Sequence, residues 1–490
     1  MTDGEVGETV STPYMGFNRG STRIRQLYSG DVEPQVFESP LIRLMKDHGY
    51  VDAYRDGKLW PEGPIDSRSV WIFRYYDVSD ADFGEGERRE IEFHARELRK
   101  YLIHVRDAVL DEGEDPKEFR VYLVAHSMGG LICRCYLQNR EIPDLEGNPP
   151  VRAGWRSKGV DKLFTYGTPH GGISFRRGLG WVEGLRDFLD PNNAGNFGRR
   201  RMESFLDLRP GQALNSLNGW FPEERVFCLV GTDARDYAAA KGLSRRAVGP
   251  LSDGLVQIKN ASVGGAARAF VHRSHSGPYG LVNSESGYQN LSRFLFGDWR
   301  VLVEMEDVEV SLPASVKSAA NRGTKVRASY YIDVVFSVRG IPVQLSRRTH
   351  REGSAIRRKD VDLQKPIKLL TAFILDSGRI NMDRPTLGFA LRLGVRVPEY
   401  EGDESFRADH YEGSVLFADK LNIEVEAGTE GPLLRYGWDR RTPNHVSRSL
   451  SLVSAGENGP RVGQVPFGSS RDVRPGVQGT IRLTLEAWNV

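Results

Sequence analysis

One ten-residue segment constrains the fold of this chain more than any other. It reads Val121-Tyr-Leu-Val-Ala-His-Ser-Met-Gly-Gly130, an almost wholly apolar run that leads into a turn of small residues. A strand of this kind is typical of a parallel sheet that is buried on both faces. Small residues two positions before and after Ser127, here Ala125 and Gly129, permit a sharp strand-to-helix turn. The segment therefore predicts a strand, a strained turn at Ser127 and a helix.

The turn has the pattern of a nucleophile elbow, G-x-S-x-G, with Ala125 in place of the first glycine. A serine hydroxyl is a weak nucleophile until a neighbouring base removes its proton, so a base and an acid are expected elsewhere in the chain. The turn also places the backbone N–H of Met128, at the helix N-terminus, where a developing oxyanion would lie. Ser127 is the candidate nucleophile and Met128 the first candidate oxyanion donor.

The candidate base is His275, because it follows a predicted strand at 267–271 by a few residues and precedes a predicted helix. His272 lies closer to that strand and is the alternative base. His170, just after another strand, is expected to line the substrate site or to order its loop. His126, beside the nucleophile, is a second candidate for lining the site.

The candidate acid is Asp253, which lies in a turn 22 residues before His275. That spacing suits two neighbouring loops at one edge of a sheet. Asp233, at the end of the preceding strand, and Asp236 are the alternatives. The acid would hold the imidazole in one tautomer and stabilise the imidazolium that forms during the reaction.

Apolar strands alternate with amphipathic helices through residues 1–300. This alternation predicts a doubly wound, mostly parallel α/β sheet. The predicted strands are 70–76, 121–125, 163–166, 226–230 and 267–271, and the predicted helices are 85–110, 131–138 and 285–296.

Residues from about 173 to 222 interrupt the alternation. An insertion of this length between strands is usually a lid, a cap or a functional loop. Its Trp181 is a candidate for lining an apolar substrate site. The arginines at 176, 177 and 199–201 are interpreted either as contacts to an anionic headgroup or as a solvated basic face.

Residues 301–490 have a different pattern, in which apolar and polar positions alternate and Gly, Pro and Asn fill the gaps. Strands without helices predict a C-terminal antiparallel β-sandwich. The predicted strands are 301–310, 326–338, 367–375, 386–397, 413–425 and 480–488. A binding edge could be marked by Tyr411, Arg435, Tyr436 and Trp438, but exposed aromatic residues are ordinary on strands, so no site is assigned there.

Composition excludes several classes of protein. The 67 basic and 65 acidic residues nearly cancel, which argues against a dedicated nucleic-acid binder. Three cysteines form no disulfide framework and indicate a reducing compartment. The polar N-terminus lacks the pattern of a signal peptide, so a cytoplasmic protein is expected.

Asp and His residues show no ligand spacing, so no metal and no cofactor is expected.

The motifs AHSMGG at 125–130, TYGTPHGG at 165–172, SDGLV at 252–256 and SHSG at 274–277 together resemble the lipase and esterase branch of the α/β-hydrolase superfamily. The resemblance covers residues 10–298. It implies a second oxyanion donor on a loop after an early strand. Residues 15–21 are in the right order for that loop, so the backbone N–H of Phe17 is the candidate. Since only 13 residues precede Tyr14, an N-terminally trimmed sheet or a missing natural start is expected.

These residues predict a serine hydrolase that cleaves a carboxylic ester, with an acyl ester or a lipid as substrate and a transient contact with a membrane surface. Two alternatives use the same chain differently. One is cleavage of a thioester or an amide by the same triad. The other is a non-catalytic scaffold whose β-sandwich binds a partner.

Overall fold

A computed structural model divides the chain into two compact units. The first consists of Met1–Arg268 and His272–Leu291, and the second of Ala269–Val271 and Ser292–Val490. The residues that the structure describes are 21–26, 32–37, 40–55, 58–59, 65–73, 75, 89–111, 113–152, 154–173, 198–234, 250–275, 280–376, 386–402, 409–426, 433–439, 446, 448–450, 452–454, 456, 459–468 and 476–489.

The first unit alternates strands with helices. Its strands are β1 (Ser21–Gln26), β2 (Val32–Phe37), β3 (Val51–Asp52), β4 (Tyr54–Arg55), β5 (Lys58–Leu59), β6 (Ser69–Val70), β7 (Val121–His126), β8 (Val160–Tyr166), β9 (Val226–Gly231) and the first two residues of β10 (Ala267–Val271), whose other three residues belong to the second unit. Its helices are α1 (Pro40–His48), α2 (Ile91–Val109), α3 (Met128–Gln138), α4 (Arg199–Phe205) and α5 (Glu285–Phe296), the last of which runs on into the second unit.

A four-stranded sheet in the order β10-β9-β8-β7 carries the elements that matter most below. Strand β7 pairs parallel to β8, and β8 pairs parallel to β9. Every residue of β9 is buried, and so is nearly every residue of β8, as expected for strands that are covered on both faces. The prediction of a parallel sheet in the N-terminal part is confirmed.

The predicted strand at 70–76 is wrong over its described central part, because the strand ends with β6. The aromatic residues that suggested a strand pack on helix α2 instead. The rings of Trp71 and Phe73 lie 6.2 and 5.5 Å from the ring of Tyr101. The carbonyl oxygen of Ile72 accepts a hydrogen bond from the Tyr101 hydroxyl at 3.1 Å.

Part of the predicted insertion is packed into the body of the first unit. Residues 198–222 contain helix α4, and several of their apolar side chains are buried, namely Met202, Phe205, Leu206, Leu217 and Phe221. The buried guanidinium of Arg134 on α3 donates to the carbonyl oxygens of Leu214 and Ser216 at 3.0 and 2.9 Å. This half of the segment therefore differs from a lid, and the remainder, 174–197, lies outside the described residues.

In its described part, the second unit is built mainly from strands, with the end of α5 and a further short helix. Its strands are β11 (Trp299–Ser311), β12 (Val326–Val338), β13 (Gln344–Arg348), β14 (Ile356–Lys359), β15 (Ile367–Ile374), β16 (Thr386–Gly402), β17 (Asp409–Glu426), β18 (Leu433–Trp438), β19 (Arg448–Leu450), β20 (Val453–Ser454), β21 (Arg461–Gly468) and β22 (Gly476–Ala487), and its helix is α6 (Ala314–Asn321).

Two antiparallel sheets make up the second unit. One has five strands in the order β15-β11-β22-β21-β20, and the other has seven, with β13-β12-β16-β17-β18-β19 in order and β14 paired to β12. The two sheets share a hydrophobic core. Val303 and Leu483 of the first sheet and Phe336 and Leu391 of the second contribute to it. The prediction of an antiparallel, β-rich C-terminal region is confirmed.

The aromatic residues suggested as a binding edge of this region are largely enclosed. Tyr436 and Trp438 belong to the hydrophobic core, and the indole N–H of Trp438 donates to the carbonyl oxygen of Pro466 at 3.0 Å. Arg435 forms an ion pair with Glu426. Tyr436, Trp438 and Arg435 therefore contribute to the fold, and the side chain of Tyr411 lies outside the described part of the chain. Within the described ranges, no helix combines the length and the apolar character that a membrane crossing requires.

Candidate active site

Ser127 occupies the turn between β7 and α3 in a backbone conformation that non-glycine residues rarely adopt. Its φ is 53° and its ψ is −124°. Its backbone N–H donates to the carbonyl oxygen of Tyr166 at 2.9 Å, and its carbonyl oxygen accepts from the N–H of Gly130 at 3.1 Å. Such a conformation costs about 1–3 kcal/mol and persists only where the surroundings fix it. The strained turn at Ser127 is thus present where the sequence predicts it.

The sequence pattern suggested that Gly129 must lack a side chain, but in the structure this requirement applies to Gly130. A methyl group on Gly129 would lie 3.6 Å from Cε1 of Tyr75 and 3.7 Å from Cβ of Ala125, which are ordinary contacts. A methyl group on Gly130 would lie 2.7 Å from Cγ2 of Thr168 and closer still to its hydroxyl oxygen. Close packing of α3 on the segment after β8 therefore depends on Gly130.

A continuous chain of hydrogen bonds joins the three residues that the sequence proposed as nucleophile, base and acid. Nε2 of His275 lies 2.9 Å from Oγ of Ser127, and its Nδ1 lies 2.9 Å from Oδ2 of Asp253. All three side chains are buried. Because a carboxylate can only accept, Nδ1 of His275 carries the proton, which leaves Nε2 to accept from the serine hydroxyl.

The acid is held by its own turn. Oδ1 of Asp253 accepts from the backbone N–H groups of Leu255 and Val256 at 3.0 and 2.7 Å. The carbonyl oxygen of Asp253 accepts from the backbone N–H of His275 at 2.9 Å. Two hydrogen bonds, one from the backbone and one from the side chain, thus fix the base against the acid.

Two glycines at the carboxyl ends of neighbouring strands make room for the acid and the base. A methyl group on Gly167, directly after β8, would lie 3.0 Å from both Oδ2 of Asp253 and Nδ1 of His275. A methyl group on Gly231, the last residue of β9, would lie 2.6 Å from Cβ of Asp253 and 2.7 Å from the carbonyl oxygen of Arg273. Sequence reasoning did not assign these glycines a role, although a glycine at the ends of two adjacent predicted strands was a signal for one.

His126 lies against the base rather than simply beside the nucleophile. Its Nε2 is 2.9 Å from the carbonyl oxygen of His275, and the two rings lie 4.8 Å apart. Since a carbonyl oxygen only accepts, Nε2 of His126 carries the proton. Burial, reinforced by the neighbouring His275, lowers the pKa of His126 to about 3, so the ring is neutral near pH 7.

His170 is completely buried. Its Nε2 lies 3.1 Å from Oγ1 of Thr165, and its carbonyl oxygen accepts from the guanidinium of Arg134 at 3.0 Å. Burial and the nearby Arg134 hold the pKa of His170 well below its ordinary value. Of the two roles that the sequence suggested for His170, this position favours the loop-ordering one.

The alternative base and the alternative acid face each other outside the hydrogen-bonded chain of Ser127, His275 and Asp253. Nε2 of His272 lies 3.6 Å from Oδ2 of Asp233, and the His272 side chain is partly exposed. The third candidate acid, Asp236, is outside the described residues.

Of the two candidate oxyanion donors, Met128 lies within the described residues. Met128 is the first residue of α3, and the first N–H groups of a helix have no acceptor within the helix, so its N–H is suited to bind an anion. Phe17 and Trp181 lie outside the described residues. Among the residues that are described, no three His, Cys, Asp or Glu side chains are grouped so as to hold a metal ion.

No protein-family model and no curated protein matches the chain. A solved structure that is similar in part is the crystal structure of Bacillus licheniformis lipase BlEst2 in mature form. The two share 18% sequence identity over 42% of this chain and 74% of that chain, with a TM-score of 0.28. A likeness at that TM-score shows neither the fold nor the function of this chain.

Proposed function

We propose that this protein is a serine hydrolase with an α/β-hydrolase domain, and that it cleaves carboxylic esters. The observation that carries the proposal is the hydrogen-bonded chain from Oγ of Ser127 through His275 to Asp253, with 2.9 Å at each step. Geometry of this kind is what identifies a catalytic triad across unrelated folds. The strained conformation of Ser127, at the junction of a strand and a helix, is the second support.

In the proposed reaction, Oγ of Ser127 attacks the carbonyl carbon of the ester while Nε2 of His275 takes the serine proton. The tetrahedral intermediate collapses when the same nitrogen delivers that proton to the departing alcohol oxygen, which leaves an acyl group on Ser127. A water molecule then attacks the acyl carbon and gives its proton to His275. Release of the carboxylic acid returns the proton to Oγ. Asp253 keeps Nδ1 of His275 protonated throughout.

Negative charge builds on the carbonyl oxygen in both tetrahedral intermediates, and backbone N–H groups at a helix N-terminus stabilise such charge. We assign this role to the N–H of Met128. The N–H of Phe17 stays the proposed second donor, on the basis of its place in the chain order.

The proposed substrates are esters whose acyl group has an apolar chain, and among these we favour a lipid ester. The support from sequence is Trp181 within the segment at 174–197. The C-terminal region, with its two antiparallel sheets and shared core, is proposed to be a β-sandwich accessory domain.

The decisive experiment compares the wild-type protein with Ser127→Ala on p-nitrophenyl esters of increasing acyl length. We expect the variant to lose activity by at least about 10³-fold, because the covalent step disappears. Ser262→Ala is the matched control, since Ser262 is also a buried serine of the first unit but takes no part in the hydrogen-bonded chain. Equal rates for wild type and Ser127→Ala would refute the mechanism.

Two further measurements separate the alternatives. A fluorophosphonate probe is expected to label Ser127 in the folded protein, and its failure would favour the non-catalytic scaffold. Acyl thioesters and amides of the same chain length are expected to react more slowly than the ester. A faster thioester reaction would reassign the substrate while keeping the triad.

A further inference from the structure

Arginines are concentrated on the outer face of the seven-stranded sheet of the second unit. Along β12, side chains alternate between the core and this outer face. Ile332, Val334 and Phe336 are buried, whereas the residues between them are partly exposed. Residues that pair directly across an antiparallel sheet lie on the same face, so the partners of the exposed positions extend this outer surface over β13, β14 and β16.

Two rows of arginines cross this face. In the first row, Tyr331 pairs with Arg357 of β14 on one side and with Arg396 of β16 on the other. In the second row, Val335 pairs with an arginine on each side, namely Arg347 of β13 and Arg392 of β16. From strand geometry the rows are about 13 Å apart, and the arginines within a row are about 10 Å apart. We call these four arginines, with Tyr331 and Val335, the arginine face.

The arginine face keeps an excess of positive charge after its own ion pairs are counted. Arg396 interacts with Asp333, which also accepts from Nδ1 of His350 at 2.8 Å, and Arg347 interacts with Glu352 at 2.8 Å. The other two arginines, Arg357 and Arg392, are exposed and form no ion pair within the described residues. A further exposed cation, Lys359, pairs with Ser329 of β12, while the exposed acids Glu399 and Glu401 lie farther along β16.

Apolar side chains lie between the cations. Tyr331 and Val335 are partly exposed within the rows, and Val415, which pairs with Arg396, is 56% exposed. The side of a sheet is a broad surface rather than a groove that would select one extended chain. Cations around exposed apolar residues on such a surface suit the headgroup layer of a membrane, because guanidinium groups bind phosphates through two parallel hydrogen bonds.

We propose that the arginine face docks the protein on an anionic phospholipid bilayer. The choice of this partner rests on the proposed function, since a lipid ester is presented at a bilayer surface. The binding itself needs no catalysis. Each basic residue near an anionic membrane strengthens binding about fivefold, so losing two of them weakens it about thirtyfold.

The test measures binding to vesicles by co-sedimentation of the full chain, in the Ser127→Ala background so that lipid is not consumed. Vesicles of phosphatidylcholine alone are compared with vesicles that also contain phosphatidylserine. We expect binding only to the anionic vesicles, a loss of affinity at high salt because exposed charges are screened, and affinity about thirtyfold weaker for Arg357→Gln/Arg392→Gln.

The matched control is Lys317→Gln/Arg322→Gln, which removes two exposed cations from helix α6 and its C-cap in the same unit. It is expected to bind like the parent. No binding to anionic vesicles, or an equal loss in both double variants, would overturn the proposal. So would tighter binding to soluble heparin than to vesicles, because the face would then prefer a free polyanion.

Hydrolysis of a short soluble ester by the arginine-face variant, with Ser127 intact, separates the two proposals. We expect its rate to equal that of the wild type. If the variant loses vesicle binding but hydrolyses the soluble ester at the wild-type rate, the result supports the role of the arginine face in binding and leaves catalysis unaffected. An inactive wild type would refute the proposed function without touching the binding result.

Discussion

Nε2 of His126 donates a hydrogen bond to the carbonyl oxygen of His275 at 2.9 Å, so the residue directly before the nucleophile supports the backbone of the base. The two rings also contact each other, with centroids 4.8 Å apart. A neutral ring suits this place, because a second positive charge would oppose the imidazolium that forms on His275. Burial, with a further contribution from His275, lowers the pKa of His126 to about 3 and thereby keeps it neutral.

Replacing His126 with leucine is expected to lower kcat about tenfold or more while KM changes little. The variant leaves a buried carbonyl oxygen without its donor, which costs about 1–3 kcal/mol and frees the backbone of the base to shift. Steady-state kinetics on a soluble ester measure the effect.

His126→Gln is the rescue variant, because its amide nitrogen can reach the position of Nε2. We expect it to recover most of the lost kcat. If glutamine and leucine lower kcat equally, or if both raise KM instead, His126 does not act by positioning the base.

Asp253→Asn is expected to lower kcat about 10⁴-fold with little change in fold, because the amide can donate to His275 and favour the wrong tautomer. Circular dichroism checks the fold, and single-turnover kinetics measure the acylation step. The matched control is Asp233→Asn, which changes the same group in the neighbouring His272 pair. An equal loss in both variants would remove Asp253 from its proposed role.

Gly231→Ala is expected to lower both activity and thermal stability, since its methyl group would lie 2.6 Å from Cβ of Asp253. Overpacking of this kind costs about 1–3 kcal/mol and would displace the acid. Gly264→Ala is the control, because its nearest neighbour, Asn215, would be 3.8 Å away. Wild-type kcat and Tm in Gly231→Ala would show that the space at the end of β9 is not needed.

Lys162→Met is expected to make stability less dependent on pH. Burial lowers the pKa of Lys162 to about 7, well below the 10.5 of a free lysine. Between these values the unfolded chain binds one more proton than the folded one, so this lysine makes stability rise with pH by at most about 1.4 kcal/mol per pH unit. Below pH 7 both states are charged, and the cost of burial is present in full.

Urea denaturation from pH 6 to pH 10 measures this effect. The methionine variant should be most stabilised relative to wild type at the acidic end, and its advantage should shrink as the pH rises. Lys317→Met, at an exposed position, should show no such trend. A constant difference between Lys162→Met and wild type would contradict the assignment.

Local patterns predicted the elbow and the parallel strands well. The strand, the turn and the helix around Ser127 lie within one contiguous segment, so their pattern is fully visible in the sequence. Chain order and position after strands favour Asp253 and His275, and the structure brings both of them into one hydrogen-bonded chain with Ser127. Asp233 and His272 had similar local patterns, and only tertiary contacts separate the two pairs.

Features that depend on distant contacts were harder to predict. The aromatic run after β6 has strand composition, yet Phe73 packs on a ring of helix α2. Strand β21 contains Gly463 and Pro466, residues that usually interrupt strands, and its local sequence does not predict it. Arg134 is charged, so nothing local indicated that it is buried and bound to carbonyl oxygens of the segment at 198–222.

The absence of side chains at Gly167 and Gly231 matters for any attempt to build this site into another protein. A design that grafted only Ser127, His275 and Asp253 onto another scaffold would copy the reactive groups. It would lack the space that the two glycines leave for the acid and the base. The unit to be transferred therefore consists of five positions. Three carry the reactive side chains, and the other two must be glycines because a side chain there would collide with the acid and the base.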